Sequence, residues 1–116
     1  MTGYKRGDII LVGFVFSDES GEKRRPAVVV SSDAYQRSRQ EAIIAAITSS
    51  AEHHLVGDHL IVEWEKAGLL FPSVATGIIR TVKQNMMAKK LGTMPKPDMQ
   101  AIEDNLRDIL ELGSHS

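Results

Sequence analysis

KRRPAVVVSS, residues 23–32, sets the architecture of this chain, because three cations stand directly before a short β-branched apolar run. A run of this kind, bounded by turn residues, predicts a buried β-strand. Pro26 fixes its own φ and pushes Arg25 toward an extended conformation. We therefore expect Arg25 at the mouth of a rigid strand, where a planar guanidinium can hold a phosphate. The competing interpretation is a solvated charge run that only protects a strand from edge pairing.

Further apolar segments on both sides of this stretch predict more strands, rich in β-branched residues or alternating in polarity. They lie at residues 9–16, 41–50, 58–64, 73–82 and 90–93. Gly13 and Gly77 interrupt two of them and predict a bend or bulge. Residues 32–40 predict a loop or one short helical turn, and short helical segments are expected at 65–71 and 83–89.

One amphipathic helix is predicted at the end of the chain, with Asp98 as its cap. Apolar residues recur there at helical spacing, namely Met99, Ile102, Leu106, Ile109, Leu110 and Leu112. Several short strands and one such helix predict a mainly β fold, a small and strongly curved antiparallel barrel. We expect a single domain over residues 1–112 and a disordered tail at 113–116.

Composition narrows the possible functions. The chain has 116 residues, of which 42% are hydrophobic, and its formal net charge is −1. That charge argues against a globally basic nucleic-acid binder, so an anionic ligand would need a local basic patch. The absence of cysteine excludes disulfides and thiolate metal sites. No leader and no membrane-length apolar run is visible, so a cytoplasmic protein that does not bind membranes is expected.

The candidate chemistry lies at two strand ends. Arg25 begins one predicted strand and Thr48-Ser49-Ser50 ends another. If these strands are antiparallel neighbours, guanidinium and hydroxyls lie side by side and form a metal-free phosphate site. Alternatively, the hydroxyls only begin a turn. The internal histidines show no zinc-ligand spacing and are expected on the surface; these are His53, His54 and His59.

The order and spacing of several short motifs resemble the MazF/PemK family of toxin ribonucleases over nearly the whole chain. The motifs are Arg6-Gly7-Asp8, Phe14-Val15-Phe16-Ser17-Asp18, Arg25-Pro26, Ala46-Ile47-Thr48-Ser49, Pro72-Ser73-Val74 and Ile79-Arg80-Thr81-Val82. The resemblance implies an SH3-like β-barrel of the CcdB/PemK type that assembles as a homodimer. It also implies an endoribonuclease that cuts single-stranded RNA without a metal or other cofactor. The resemblance further implies a cognate antitoxin protein that neutralises the enzyme.

Carried over by position, the resemblance makes Arg25 and Thr48 the catalytic pair. It implies 2′-hydroxyl attack that leaves a cyclic phosphate and a free 5′-hydroxyl. The candidate substrate contacts are Phe16, Ser17, Asp18, Arg24, Ser49 and Arg80.

One region departs from the family pattern. Some relatives carry an arginine and an acidic residue where this chain has Ala75-Thr76-Gly77. The departure leaves a second hypothesis open, a non-catalytic barrel toxin that poisons a protein target, as CcdB-like toxins do. A general nucleic-acid-binding barrel is a third, which the near-neutral net charge disfavours.

Overall fold

Short strands make up most of this protein, and the computed structural model describes residues 3–15, 22–49 and 55–113. The strands in these ranges are β1 (Asp8–Val15), β2 (Glu22–Val29), β3 (Glu41–Thr48), β4 (His59–Leu60), β5 (Val74–Lys83) and β6 (Met87–Thr93). The helices there are α1 (Asp33–Arg39) and α2 (Lys96–Ile109). The strands form one six-stranded antiparallel sheet in the order β4-β5-β3-β2-β1-β6. No described helix is long and apolar enough to cross a membrane.

The central strands are apolar on both faces, and each face belongs to its own core cluster. Ile9, Val28 and Ala45 lie on one side, where α2 packs with Met99 and Ile102. The second cluster contains Ile10, Val12, Ala27, Val29, Ala42, Ile44, Val82 and Met87. Because successive strand residues point to opposite faces, an uninterrupted apolar run supplies both clusters.

Strand β2 begins earlier than the sequence predicts, so the three cations lie inside the strand rather than in a loop before it. Its pairing with β1 runs from Glu22 to Val28, whereas pairing with β3 begins only at Ala27. Pro26 therefore stands where the β3 ladder ends, and its missing N–H costs no ladder hydrogen bond there. The expectation that Arg25 lies at the mouth of the strand is wrong in this respect.

The predicted interruption at Gly77 is a bulge within a continuous strand. Ala45 lies opposite Ile79 and Ile47 opposite Ala75, so the segment 76–78 of β5 faces Ala46 alone. The Thr76 hydroxyl donates a hydrogen bond to the Ala46 carbonyl oxygen at 2.8 Å, which stabilises the bulge.

Helix α1 replaces the predicted loop or single turn because its ends are well capped. The Ser32 hydroxyl accepts from the Tyr35 N–H at 3.1 Å, and Gln40 ends the helix with φ of +57°. Below it, the buried Ser31 hydroxyl donates to Gln36 Oε1 at 2.8 Å. These contacts join α1 to the sheet.

The prediction that Asp98 caps the last helix is wrong. Helix α2 begins at Lys96, after Pro95, and Asp98 lies in its first turn with 1% of its surface exposed. Its carboxylate accepts from the backbone N–H groups of Val62 and Glu63 at 2.9 and 3.2 Å. These bonds hold residues 62–68 in turns, so β4 has only two residues instead of the strand expected at 58–64.

Two glycines allow the turns at 62–68 to lie directly on β6. A Cβ atom on Gly68 would collide with the Leu91 carbonyl oxygen, and one on Gly92 would collide with that of Ala67. Gly68 also has a φ of +88°, which side-chain-bearing residues rarely adopt. Strand β6 itself begins at Met87 rather than at residue 90, and the predicted helix at 83–89 is reduced to a 3₁₀ turn, Gln84–Met86.

Candidate functional site

The end of β2 that carries the cations lies beside the end of β3 that carries the hydroxyls. Ala27 is opposite Ala46, and the two strands are antiparallel neighbours, which is the condition that the sequence analysis set for a shared site. The paired residues end there, and counting the same register further brings Arg25 level with Thr48 and Arg24 level with Ser49. Two arginines and two hydroxyl-bearing residues therefore lie at one end of the sheet, as the pairs Arg25 with Thr48 and Arg24 with Ser49.

These two pairs face opposite sides of the sheet, because side chains alternate along each strand. Arg25 shares its face with Ala27 and Val29, which belong to one core cluster. Arg24 shares its face with Val28, which belongs to the other. Arg24 and Arg25 are both exposed, and Thr48 is half-buried.

A groove with a volume of about 680 Å³ opens at this end of the sheet. Its size is within the range of about 300–1,000 Å³ common for ligand sites. Four cations line it, namely Arg24, Arg25, Lys89 and Lys90, together with the hydroxyl-bearing Ser49 and Ser73. Among the residues that the structure describes, no carboxylate lines this groove. We call it the cationic groove; its charge suits an anionic ligand.

The far wall of the cationic groove comes from the segment that follows the turns at 62–68. Leu70 and Phe71 stand on this wall with 83% and 62% of their surfaces exposed. The floor is apolar and includes Leu11, Pro26 and Ile47. An exposed aromatic ring opposite a row of cations offers a face on which a base can stack.

Thr48 lines a separate cavity of about 600 Å³, whose remaining lining is mainly apolar. We call it the apolar cavity; Leu55, Val56, Gly77, Ile78 and Ile109 form most of it. Val56 is 88% exposed and Ile78 is 59% exposed. Apolar side chains this exposed and this close together are typical of a surface that binds another protein.

Packing against α2 accounts for the departure at Ala75-Thr76-Gly77. A Cβ atom on Gly77 would lie 2.9 Å from Ile109 Cδ1, and one on Gly57 would lie 3.3 Å from Ile109 Cγ2. Helix α2 thus occupies the space beside the bulge. An arginine or acidic side chain at Gly77 would have to displace Ile109.

Asp98 links the segments that form the walls of both cavities. Besides the two backbone N–H groups, it contacts His59 Nε2 at 2.7 Å, so His59 is not the surface histidine that the sequence predicted. Burial raises the pKa of Asp98, but hydrogen bonds from Val62, His59 and Glu63 outweigh burial and lower this pKa below its usual value. The ionised carboxylate fixes the chain between the apolar cavity at 55–58 and the cationic groove at 68–73.

Several predicted contact residues lie elsewhere or outside the described residues. Phe16, Ser17 and Asp18 lie outside them, as do His53 and His54 and residues 114–116 of the expected tail. Arg80 is exposed and opposite Ile44, four residues along β3 from Thr48, which corresponds to about 13 Å. It lines neither the cationic groove nor the apolar cavity.

Lys89, Lys90 and Phe71 were missed by sequence reasoning, although all three line the cationic groove. The lysines belong to a strand whose start was predicted too late, and Phe71 was assigned to a helical turn. Across the described ranges 3–15, 22–49 and 55–113, no three His, Cys, Asp or Glu side chains form a group suited to a metal ion.

Comparison with protein families identifies the fold and the family. A family model described as "PemK-like, MazF-like toxin of type II toxin-antitoxin system" matches residues 5–110. The chain belongs to this toxin family. The resemblance seen in the sequence is thereby confirmed. No curated protein sequence matches the chain.

Solved structures of MazF-like proteins share this fold. A mycobacterial endoribonuclease in complex with its cognate antitoxin aligns with a TM-score of 0.77 and 18% identity, covering 97% of this chain and 100% of that one. MazF from Deinococcus radiodurans aligns with a TM-score of 0.76 and 18% identity, covering 96% and 99%. The Mycobacterium tuberculosis toxin MazF-mt6 gives 0.75 and 17%, covering 92% and 99%. The mainly β fold of the MazF type is therefore confirmed for this chain.

Proposed function

We propose that this MazF-like protein is a toxin endoribonuclease that cuts single-stranded RNA. The observation that carries the proposal is that Arg25 and Thr48 lie at the same end of the antiparallel β2–β3 pair, beside a groove lined by four cations. Family membership supports it, and so do the names of structural neighbours, some of which are endoribonucleases.

The proposed reaction needs only the RNA, this chain and solvent water. The ribose 2′-oxygen attacks the adjacent phosphorus, and the bond from phosphorus to the 5′-oxygen breaks. The 2′-hydroxyl gives its proton to solvent and the leaving 5′-oxygen takes one from solvent, so the products are a 2′,3′-cyclic phosphate and a 5′-hydroxyl.

Arg25 stabilises the charge that develops on the phosphorane oxygens, which is the role a preorganised guanidinium serves best. Because a guanidinium remains protonated in proteins, we assign no base role to Arg25. Thr48 donates a hydrogen bond that orients the phosphate for in-line attack. Arg24 and Ser49, on the other face of the same strand ends, hold flanking nucleotides, and Arg80 stays a proposed contact for RNA beyond them.

The test is incubation of purified protein with a long single-stranded RNA in EDTA, followed by analysis of the product ends. We expect discrete fragments that carry cyclic phosphate and 5′-hydroxyl ends, with cleavage lost in Thr48→Ala. Thr81→Ala is the matched control, since Thr81 is an exposed strand threonine in neither cavity. Intact RNA with wild-type protein, or cleavage only after a metal is added, would overturn the proposal.

We further propose that an antitoxin protein neutralises the toxin and that the toxin is a homodimer. The structural neighbours include a mycobacterial endoribonuclease in complex with its cognate antitoxin and several MazE-MazF structures, which supports the first of these proposals. The exposed apolar side chains around Thr48 also support it, because a partner that covers the apolar cavity would cover a proposed catalytic residue. Sedimentation of the toxin alone and with its antitoxin measures both assemblies.

The same apolar cavity favours a second candidate function, a barrel toxin that poisons a protein target. Val56 and Ile78 give that surface a protein-binding character, and Ile109 fills the position of the missing charged residues. RNA that stays intact while the protein remains toxic would favour this candidate.

A further inference from the structure

Two cations in the cationic groove lack an ionic partner among the described residues. Arg24 and Lys89 are exposed and form no ion pair with any residue that the structure describes. Lys90 differs, because its Nζ lies 3.3 Å from Asp8 Oδ1. The charge available for a ligand in the groove therefore includes that of Arg24 and Lys89.

The register places Arg24 and Lys89 on one face of the sheet, on either side of β1. Arg24 is opposite Gly13, and Lys89 is opposite Leu11. They are two strand spacings apart, which corresponds to about 10 Å laterally. Phe71, 62% exposed, lines the same groove from the segment that forms its far wall. A groove with spaced cations and an exposed ring fits a chain of phosphates with splayed bases.

We propose that Lys89 and Phe71 form an RNA subsite next to the cleavage site, with Lys89 on a backbone phosphate and Phe71 stacked on a base. The inference rests on the proposed function and deepens it by naming how the RNA continues away from Arg25. An acidic peptide shares the need for cations, but the exposed aromatic ring favours the nucleic acid.

Each residue has its own signature in a binding experiment. A lysine that neutralises one phosphate of a single strand contributes about 0.7 to the slope of log K against log salt. Lys89→Ala should therefore weaken binding and make the slope shallower by about that amount. Phe71→Ala should weaken binding about tenfold without changing the slope, because stacking carries no net charge. Phe71→Tyr should restore the affinity.

The experiment measures fluorescence anisotropy of a labelled 2′-O-methyl RNA oligonucleotide, which lacks the attacking hydroxyl, over a series of salt concentrations. Lys96→Ala and Val62→Ala serve as controls, since both residues are exposed and outside the cationic groove. Thermal unfolding confirms that each variant is folded. Unlabelled polyglutamate is added as a competitor.

The proposal stands if the two groove variants show their separate signatures and both controls bind like the wild type. It is overturned if the groove variants bind like the controls, if the wild type does not bind, or if polyglutamate displaces the RNA and Phe71→Ala has no effect. If the protein cuts RNA as proposed but both groove variants bind RNA like the wild type, only this inference is overturned. RNA that is bound with both signatures but never cut overturns only the cleavage proposal.

Discussion

The cationic groove and the apolar cavity lie at the same end of the sheet, yet they share almost no chemistry. Ile47 and Ser49 line the groove, whereas Thr48, between them, lines the cavity. The alternation of side chains along one strand causes this separation. Neighbouring hydroxyls thus serve different surfaces, one that suits RNA and one that suits a protein partner.

Under the proposed function, the same end of the sheet would carry RNA cleavage and its inhibition by a protein partner. Arg25 lines the groove and Thr48 lines the cavity at the same end of the β2–β3 pair, so the proposed catalytic pair stands at the boundary of the two surfaces. In the proposed function RNA approaches from the groove side, where the described charges are all positive. A partner that covers the apolar cavity would reach Thr48 without competing for those cations.

The largest effect on RNA cleavage is expected at Arg25, and it should differ in kind from the effect at Arg24. Arg25→Ala should slow cleavage at saturating RNA by about 10²–10³-fold, as loss of one charge-stabilising donor does in other enzymes. Arg24→Ala should mainly raise KM, because Arg24 faces the other side of the sheet and its proposed role is to hold flanking RNA. Steady-state kinetics on one RNA substrate measures both values. Equal losses of kcat in the two variants would contradict the division of the strand into two faces.

The next largest effect is expected at Asp98, which supports both the cationic groove and the apolar cavity. Asp98→Asn should lower the free energy of unfolding by about 2–3 kcal/mol, because two partly buried N–H groups and His59 lose a charged acceptor that is itself buried. Chemical denaturation measures it, with Asp104→Asn as the matched control on the exposed side of the same helix. If Asp98→Asn lowered the unfolding free energy no more than Asp104→Asn does, Asp98 would not stabilise these segments.

The lowered pKa of Asp98 also fixes the direction of a pH effect. A carboxyl group with a folded pKa below the unfolded value, about 3.9, stabilises the protein above that pH. The stability is lost as the pH falls through the folded pKa. Asp98→Asn should therefore flatten the fall in wild-type stability below about pH 4.

A smaller effect concerns the apolar cavity alone. Gly77→Val should cost about 1–2 kcal/mol through overpacking against Ile109. The same substitution in an Ile109→Ala background should cost less, because the colliding side chain has been shortened. Thermal unfolding of the four proteins measures the coupling. An equal cost in both backgrounds would show that Ile109 does not fill the space beside the bulge.

The smallest effect on stability is expected at Ile78, which is 59% exposed. Ile78→Ser should change the unfolding free energy by no more than about 0.5 kcal/mol, as surface substitutions usually do. It should nevertheless weaken antitoxin binding and leave RNA cleavage by the free toxin unchanged. Calorimetric titration with the antitoxin and a cleavage assay test the two halves. Unchanged antitoxin affinity would place the partner elsewhere.

Much of the sheet could be predicted from the sequence, because β1 to β3 are short runs rich in β-branched residues. The sequence also indicated that the start of β2 and the end of β3 would lie side by side if the two strands were antiparallel neighbours, and the strands are paired in that way. Segments whose shape depends on distant contacts could not be predicted. Residues 62–68 form turns because Asp98, more than thirty positions away, holds their N–H groups.

The groove was missed for a similar reason. Lys89 and Phe71 lie far apart in sequence, and only the curvature of the sheet and the contact between Gly68 and β6 bring them to one cavity. Neither residue stands out in the sequence as part of a site, because an exposed lysine on a strand and a phenylalanine before a proline are ordinary features.

The most direct test of the central claim is a double-mutant cycle on Arg25 and Thr48, measured as single-turnover cleavage rates at saturating RNA. If both side chains act on one phosphate across β2 and β3, Arg25→Ala/Thr48→Ala should cut RNA at about the rate of the slower single variant. Losses that multiply, as for independent sites, would contradict the proposed pairing of these strand ends.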